Sequence, residues 1–281
     1  MSDVRPWTCP TCAQSVTTPF CPRCGEAPVS PRDFTLRGLS ERLIEAFTSV
    51  DTRTVRSAWC LLRHPGQLTL AWTKGVRKTY VAPITLFLLI NVVFFAVQSL
   101  TGETVFSSSL DSHLHHQDWS DYAQLRVAEK LEESGAPLAD YAPVFDLAVV
   151  VNAKSLIILM TAPFALLLPL VFLRERRPFM THVVFSLHLY SFLLLLFCFA
   201  LLAAALSAVL GFGDLRTPAV DNVLSIINLA ACALYIYLAI GPVYGATGGL
   251  RIAQAAVLAI AVAAIVIGYR FALFLITLST T

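Results

Sequence analysis

Four cysteines near the N-terminus carry the clearest chemistry in the sequence. Residues 9–24 read CPTCAQSVTTPFCPRC, so Cys9, Cys12, Cys21 and Cys24 form two C-x2-C pairs separated by eight residues. Each pair turns two sulfurs to one side. Two such turns facing each other make a tetrahedral thiolate site with no open position, the arrangement of structural zinc. Pro10 and Pro22 stiffen the turns, and Gly25 follows the second pair, where a positive φ is often needed. The intervening loop is too short to supply a hydrophobic core, so folding of this unit is expected to depend on its metal. One structural Zn2+ per chain is the expectation. A pair of disulfides and an iron site of the same geometry are the alternatives. No dense basic patch with interleaved aromatics accompanies the cysteines, which argues against nucleic acid as a partner.

Two other groups of residues are chemically suggestive. The stretch SHLHHQD holds His113, His115, His116 and Asp118, a set of imidazoles and a carboxylate suited to a transition metal or to sensing acidity. A solvated polar loop is the plainer reading of the same residues. Further on, HVVFSLHLYSF places His182, His188 and Tyr190 in an apolar run, with Tyr237 in the next one. Ionisable groups inside a membrane span are functional candidates. Here they suggest a polar pocket near the inner face, or else a set of interhelical hydrogen bonds worth about 1 kcal/mol or less each.

The elements that position these groups follow from composition. The 281 residues are 57% hydrophobic and 14% charged, against roughly 25% charged in soluble domains. Tyr80–Leu100 is an uncharged run long enough to cross a bilayer as a helix. Further apolar runs cover about Ser155–Leu173, Val183–Leu210, Val220–Val243 and Ile252–Leu278. MSDVRPWTCP lacks the apolar core of a signal peptide, so the first run is expected to persist in the mature chain. Eleven Lys/Arg precede that run, and residues 101–154 after it hold nine Asp/Glu against Arg126, Lys130 and Lys154. Arg174, Arg176 and Arg177 follow the second run, Asp214, Arg216 and Asp221 the third, and Arg251 the fourth. Positive residues mark the cytoplasmic side. The N-terminus is therefore expected inside, the C-terminus outside, and the cysteines in the reducing compartment.

Between the cysteines and the first span the chain turns amphipathic. Leu36, Leu39, Leu43, Phe47 and Val50 recur at helical spacing opposite Arg37, Glu41, Arg42 and Glu45. A second basic helix is expected over Thr54–Leu62 around Trp59, broken by His64-Pro65-Gly66. Basic residues mixed with Trp and Tyr suit an anionic headgroup layer; packing beneath the bundle is the alternative. Leu125–Glu133 reads as a short helix in the outer segment. Pro163 and Pro169 are placed to kink the second span, and Pro242 to end the fourth.

Several of these stretches occur together in one family. FCPRCG, then RDFTLRGL, HPGQ, KGVRKTYVAPITLFL and HVVFSLHLYSF, with Tyr237 to Tyr244 closing the fourth span, resemble a bacterial membrane protein family known as domain of unknown function 3667. The resemblance implies an architecture and points to Cys9, Cys12, Cys21, Cys24 and His188. Thr181 stands where that family often carries an acidic residue.

The expectation is thus an all-α membrane protein with five transmembrane helices, a small N-terminal four-cysteine zinc ribbon over residues 1–30, amphipathic interfacial helices over 31–79, and a membrane domain over 80–281 with an outer loop at 101–154. Its place is a bacterial inner membrane. A non-enzymatic docking or regulatory role with a cytoplasmic protein partner is expected. The rivals are a small-solute or ion transporter using His188, and an enzyme acting on lipid, for which no HExxH motif or catalytic triad is present.

Overall fold

The computed structural model describes residues 6–28, 52–102, 105–210 and 218–281. The amphipathic pattern at 34–50 lies outside the described residues. Two two-residue strands, β1 (Trp7–Thr8) and β2 (Ser15–Val16), pair antiparallel with Trp7 opposite Val16 and Thr8 opposite Ser15. The rest of the regular structure among the described residues is helical. Helix α1 (Thr52–Arg63) stops at the His64-Pro65-Gly66 turn, and the short α2 (Gln67–Thr73) follows it. Helix α3 (Pro83–Thr101) starts with proline in its first turn, where no amide is needed, and ends on Gly102 in the left-handed conformation.

The helices that follow divide into a short pair, in the segment read as the outer loop, and a membrane set. The pair is α4 (Leu110–His115) and α5 (Ser120–Ser134). Then come α6 (Leu138–Leu156), a 3-10 turn at Ile157–Met160, α7 (Thr161–Val171), α8 (Phe179–Val209), α9 (Pro218–Tyr244) and α10 (Gly248–Thr280). Among the described residues, five helical segments are long and apolar enough to cross a membrane: Pro83–Thr101, Leu138–Val171, Phe179–Ser207, Val223–Tyr244 and Gly248–Thr280. Leucines such as Leu147, Leu166, Leu170 and Leu206 point outward from them, as lipid-facing residues do. The all-α, five-span architecture read from the sequence is thus present in the fold.

The second span differs in extent. Its helix starts at Leu138, well before Ser155 and inside the segment read as an outer loop. The cause is a ladder at every fourth position. Tyr141, Phe145, Val149 and Ala153 are all buried, and α6 lays this stripe along α10. Leu110, Leu114, Ala123 and Val127 from α4 and α5 complete a second core with Phe274 and Leu278 of α10. The first turns of α6 and the last turns of α10 therefore stand as posts for the outer helices.

The end of α9 shows how a proline inside a helix is accommodated. Pro242 has no amide to offer the Leu238 carbonyl. Arg251 fills the gap, donating from Nη2 to Leu238 O (3.2 Å) and from Nε to Tyr237 O (2.7 Å).

Candidate functional site

The four cysteines converge. Their Sγ atoms all lie within 4.8 Å of one another, with Cys9–Cys24 at 3.4 Å, Cys12–Cys21 at 3.5 Å and Cys12–Cys24 at 3.9 Å. A bonded disulfide would bring sulfurs to about 2.05 Å, and all seven cysteines are free. Thiolates about 2.3 Å from a shared tetrahedral ion stand roughly 3.8 Å apart, so this donor set fits a thiophilic metal.

The two halves are built alike. Cys9 N donates to Gln14 O (2.9 Å) and Ala13 N to Cys9 O (2.8 Å); Cys21 N donates to Glu26 O (2.7 Å) and Gly25 N to Cys21 O (2.8 Å). Each turn needs a left-handed residue after its second cysteine. Gly25 (φ 73°) supplies it in one half and Ala13 (φ 58°) in the other.

Glu26 is the functional residue that sequence reasoning passed over. It is 2% exposed. Its Oε2 accepts from Thr11 Oγ1 (2.8 Å) within the cysteine unit, and from the backbone amides of Arg77 (3.0 Å) and Lys78 (3.1 Å) just before α3. Nearby, Ser57 Oγ takes the Val81 amide (3.0 Å) while donating to Arg53 O (2.7 Å). The extended stretch between α2 and α3 thus has three of its amides held by side chains. A lone glutamate beside cysteines looks like surface charge in a sequence. The available signal was its position, matching that of Gln14 in the first turn. Glu26→Gln keeps the shape but loses the charge-assisted bonds. It is expected to weaken this attachment by about 1.5–3 kcal/mol without loss of bound metal, read as roughly 10- to 150-fold faster hydrogen exchange at Arg77 and Lys78.

The intramembrane histidines do not share a pocket. Six residues apart on α8, they face directions about 120° apart. His188 is buried with its Nδ1 2.8 Å from Thr69 Oγ1 of α2. His182 Nδ1 lies 2.9 Å from Tyr244 Oη, and the Tyr244 ring stacks on Phe172 at 4.0 Å. Tyr190 packs edge-on against Phe164, with a buried hydroxyl that has no partner among the described residues. Tyr237 instead carries Arg251 over its ring at 4.2 Å. The contact that sequence could not show is α2 itself: Leu68, Thr69 and Trp72 are buried, and this short helix packs against α8 and α9.

The outer histidines also part company. His113 is buried, accepts from Trp119 Nε1 (3.2 Å) and packs on Phe274. His115 is exposed beside Asp111 (3.0 Å), and His116 and Asp118 are exposed. Among the described residues the cysteine set is the one group of three or more ligating side chains close enough to hold a metal. Burial, with the Arg270 charge nearby, holds the His113 imidazole down to about 4, below the usual 6.5 or so. Above pH 6.5 the group is neutral in both states and costs nothing. As pH falls from 6.5 towards 4, the unfolded chain takes up a proton that the fold refuses, and stability declines. The outer core is expected to lose on the order of 1–2 kcal/mol between pH 7.5 and pH 4.5, followed by Trp119 fluorescence on unfolding. His113→Phe should remove most of that pH dependence.

No curated protein and no solved structure matches the chain. A family model does match, over residues 51–95; the cysteine unit and the histidines of α8 lie outside it. The matched segment covers α1, α2 and the first part of α3, and holds Ser57, Gly66, Thr69, Arg77 and Lys78. The resemblance read from the sequence is shown over this segment: the chain carries, at residues 51–95, the pattern of the family described as protein of unknown function (DUF3667).

Proposed function

We propose that this chain is a non-enzymatic docking or regulatory protein of a bacterial inner membrane, holding one structural zinc ion in the cytoplasm. The observation that carries this reading is the Glu26 carboxylate, which ties the cysteine unit to the amides of Arg77 and Lys78. Metal binding, folding of residues 6–28 and the seating of the family segment are then linked. Four thiolates close a zinc ion off from substrate, so its role is to hold shape. Helix α1 turns Val55 and Trp59 outward, beside Arg56 and with Arg63 over the Trp59 ring, as suits a helix lying at the headgroup layer. Phe20, at the tip between the two cysteine turns, is 64% exposed and offers a protein partner an apolar contact.

Site-specific photocrosslinking from position 20 in intact cells tests the docking role. A discrete crosslinked protein, lost in Cys9→Ser/Cys12→Ser although the membrane helices remain folded, is the expected result. An unchanged pattern in that variant would contradict it. Metal analysis of the purified protein should find about one zinc per chain, absent from the variant.

A further inference from the structure

Arg270 interrupts the last apolar helix, where sequence alone allows it to reach the nearest surface. The structure turns it inward instead. Its Nη2 donates to the buried Ser108 hydroxyl (2.7 Å), while its Nε is buried with no acceptor among the described residues. No carboxylate pairs with it among the described residues. The nearby ring is His113, which burial and the Arg270 charge keep neutral. A partly buried guanidinium with an unused donor and no counter-charge lacks an anion.

Depth indicates which anion. From Gly248 to Arg270 the helix rises roughly 33 Å, against about 30 Å of hydrocarbon. Arg270 therefore stands at the headgroup layer opposite the cysteine unit, because α3 crosses between them. A seam of polar groups continues from Ser108. Adjacent Ser107 is buried and accepts from Gln98 Nε2 (3.3 Å). Gln98 Oε1 is buried and unpaired among the described residues, an acceptor in need of a donor.

We propose that Arg270, with Ser108, binds the phosphate of a phospholipid in the leaflet opposite the cysteine unit, and that a hydroxyl or ammonium on the same headgroup donates to Gln98. A guanidinium fork matches a phosphodiester in charge and geometry. A glycerol or ethanolamine headgroup brings the donor; choline brings none. Free phosphate shares the anionic chemistry but stands apart from lipid in the test.

The full-length protein in detergent is titrated with phosphatidylglycerol, phosphatidylcholine or inorganic phosphate. Lipid retention is read by native mass spectrometry, and thermal stability in parallel. Phosphatidylglycerol is expected to be retained at least 10-fold more tightly than phosphatidylcholine, and Arg270→Gln and Ser108→Ala to erode that preference. A stability gain from inorganic phosphate that Arg270→Gln abolishes would support the phosphate site with a soluble ligand and overturn the lipid. Equal phosphatidylglycerol retention by wild type, Arg270→Gln and Ser108→Ala would overturn the site. If Arg270→Gln fails to fold, Arg270→Lys serves: it keeps the charge without the fork. A several-fold weaker phosphatidylglycerol preference is expected of it, and an unchanged preference overturns the proposal.

Discussion

Stripping the metal, by chelation or through Cys9→Ser/Cys12→Ser, is expected to unfold residues 6–28 outright while the membrane helices stay folded. The cysteine unit has almost nothing else to hold it. Its buried apolar residues are Cys9, Val16 and Cys21, and its sheet is two residues deep. Ordering a backbone costs about 1–2 kcal/mol per residue, which so small a core cannot offset. A four-thiolate zinc site supplies about 10–16 kcal/mol of apparent binding free energy at neutral pH, enough to decide the equilibrium. Full hydrogen exchange across 6–28 within the shortest labelling time, with α8 and α10 still protected, is the expected reading. Persistent protection at Cys9 and Cys21 amides without metal would show that the chain alone can hold the turns.

The second large effect lies in the family segment. Gly66 begins α2 with φ 83°, and a Cβ there would lie 2.6 Å from the Ala239 carbonyl oxygen and 3.0 Å from its Cα. Those are backbone atoms of α9, which cannot swing aside as a side chain would. Gly66→Ala is therefore expected to cost more than about 3 kcal/mol, combining left-handed strain with the clash. It should lift α2 from its seat and break the Thr69–His188 contact. Gly135 is the built-in control: it is also left-handed (φ 66°) but has open space around it. Gly135→Ala should cost only about 1 kcal/mol. Denaturation in detergent of the two variants beside wild type measures the difference. Similar losses in both would mean that the contact with α9 contributes little.

What the sequence disclosed follows from the range of each interaction. The cysteine turns are local: CPTC and CPRC determine their own geometry, and the sulfurs meet within 4.8 Å. The spans are legible because composition alone marks them. The start of α6 was hidden because Asp140, Pro143 and Asp146 interrupt the apolar run. The ladder from Tyr141 to Ala153 was visible only to a reader counting fours. Helix α2 is seven residues long, too short for any periodicity to announce that it packs into the bundle. His182 and His188 share a run of sequence yet face different neighbours, because six residues along a helix is not a whole number of turns. The SHLHHQD stretch sets His113 beside His115 and His116, but the first points into a core and the others into solvent. Glu26 is the least legible residue of all, since its partners lie far along the chain at Arg77 and Lys78.

Arg251 carries a related lesson. In the sequence it is a charge that votes for the cytoplasmic side. In the fold it also completes α9 where Pro242 leaves a carbonyl without its amide, and it sits close against Gly241, where an added Cβ would fall 2.7 Å from the guanidinium carbon. It stands in the first turn of α10, so reading it as a loop charge understates its part in packing.

If the metal site and the family segment are one linked unit, joined through Glu26, the Arg77 and Lys78 amides must respond to the metal. Their hydrogen exchange in the full-length protein, with metal bound and after chelation, decides the matter. Chelation should release both amides together with residues 6–28, and Glu26→Gln should release them with the metal still in place. If chelation frees residues 6–28 while Arg77 and Lys78 exchange as slowly as before, the linkage is contradicted and the cysteine unit is an independent appendage.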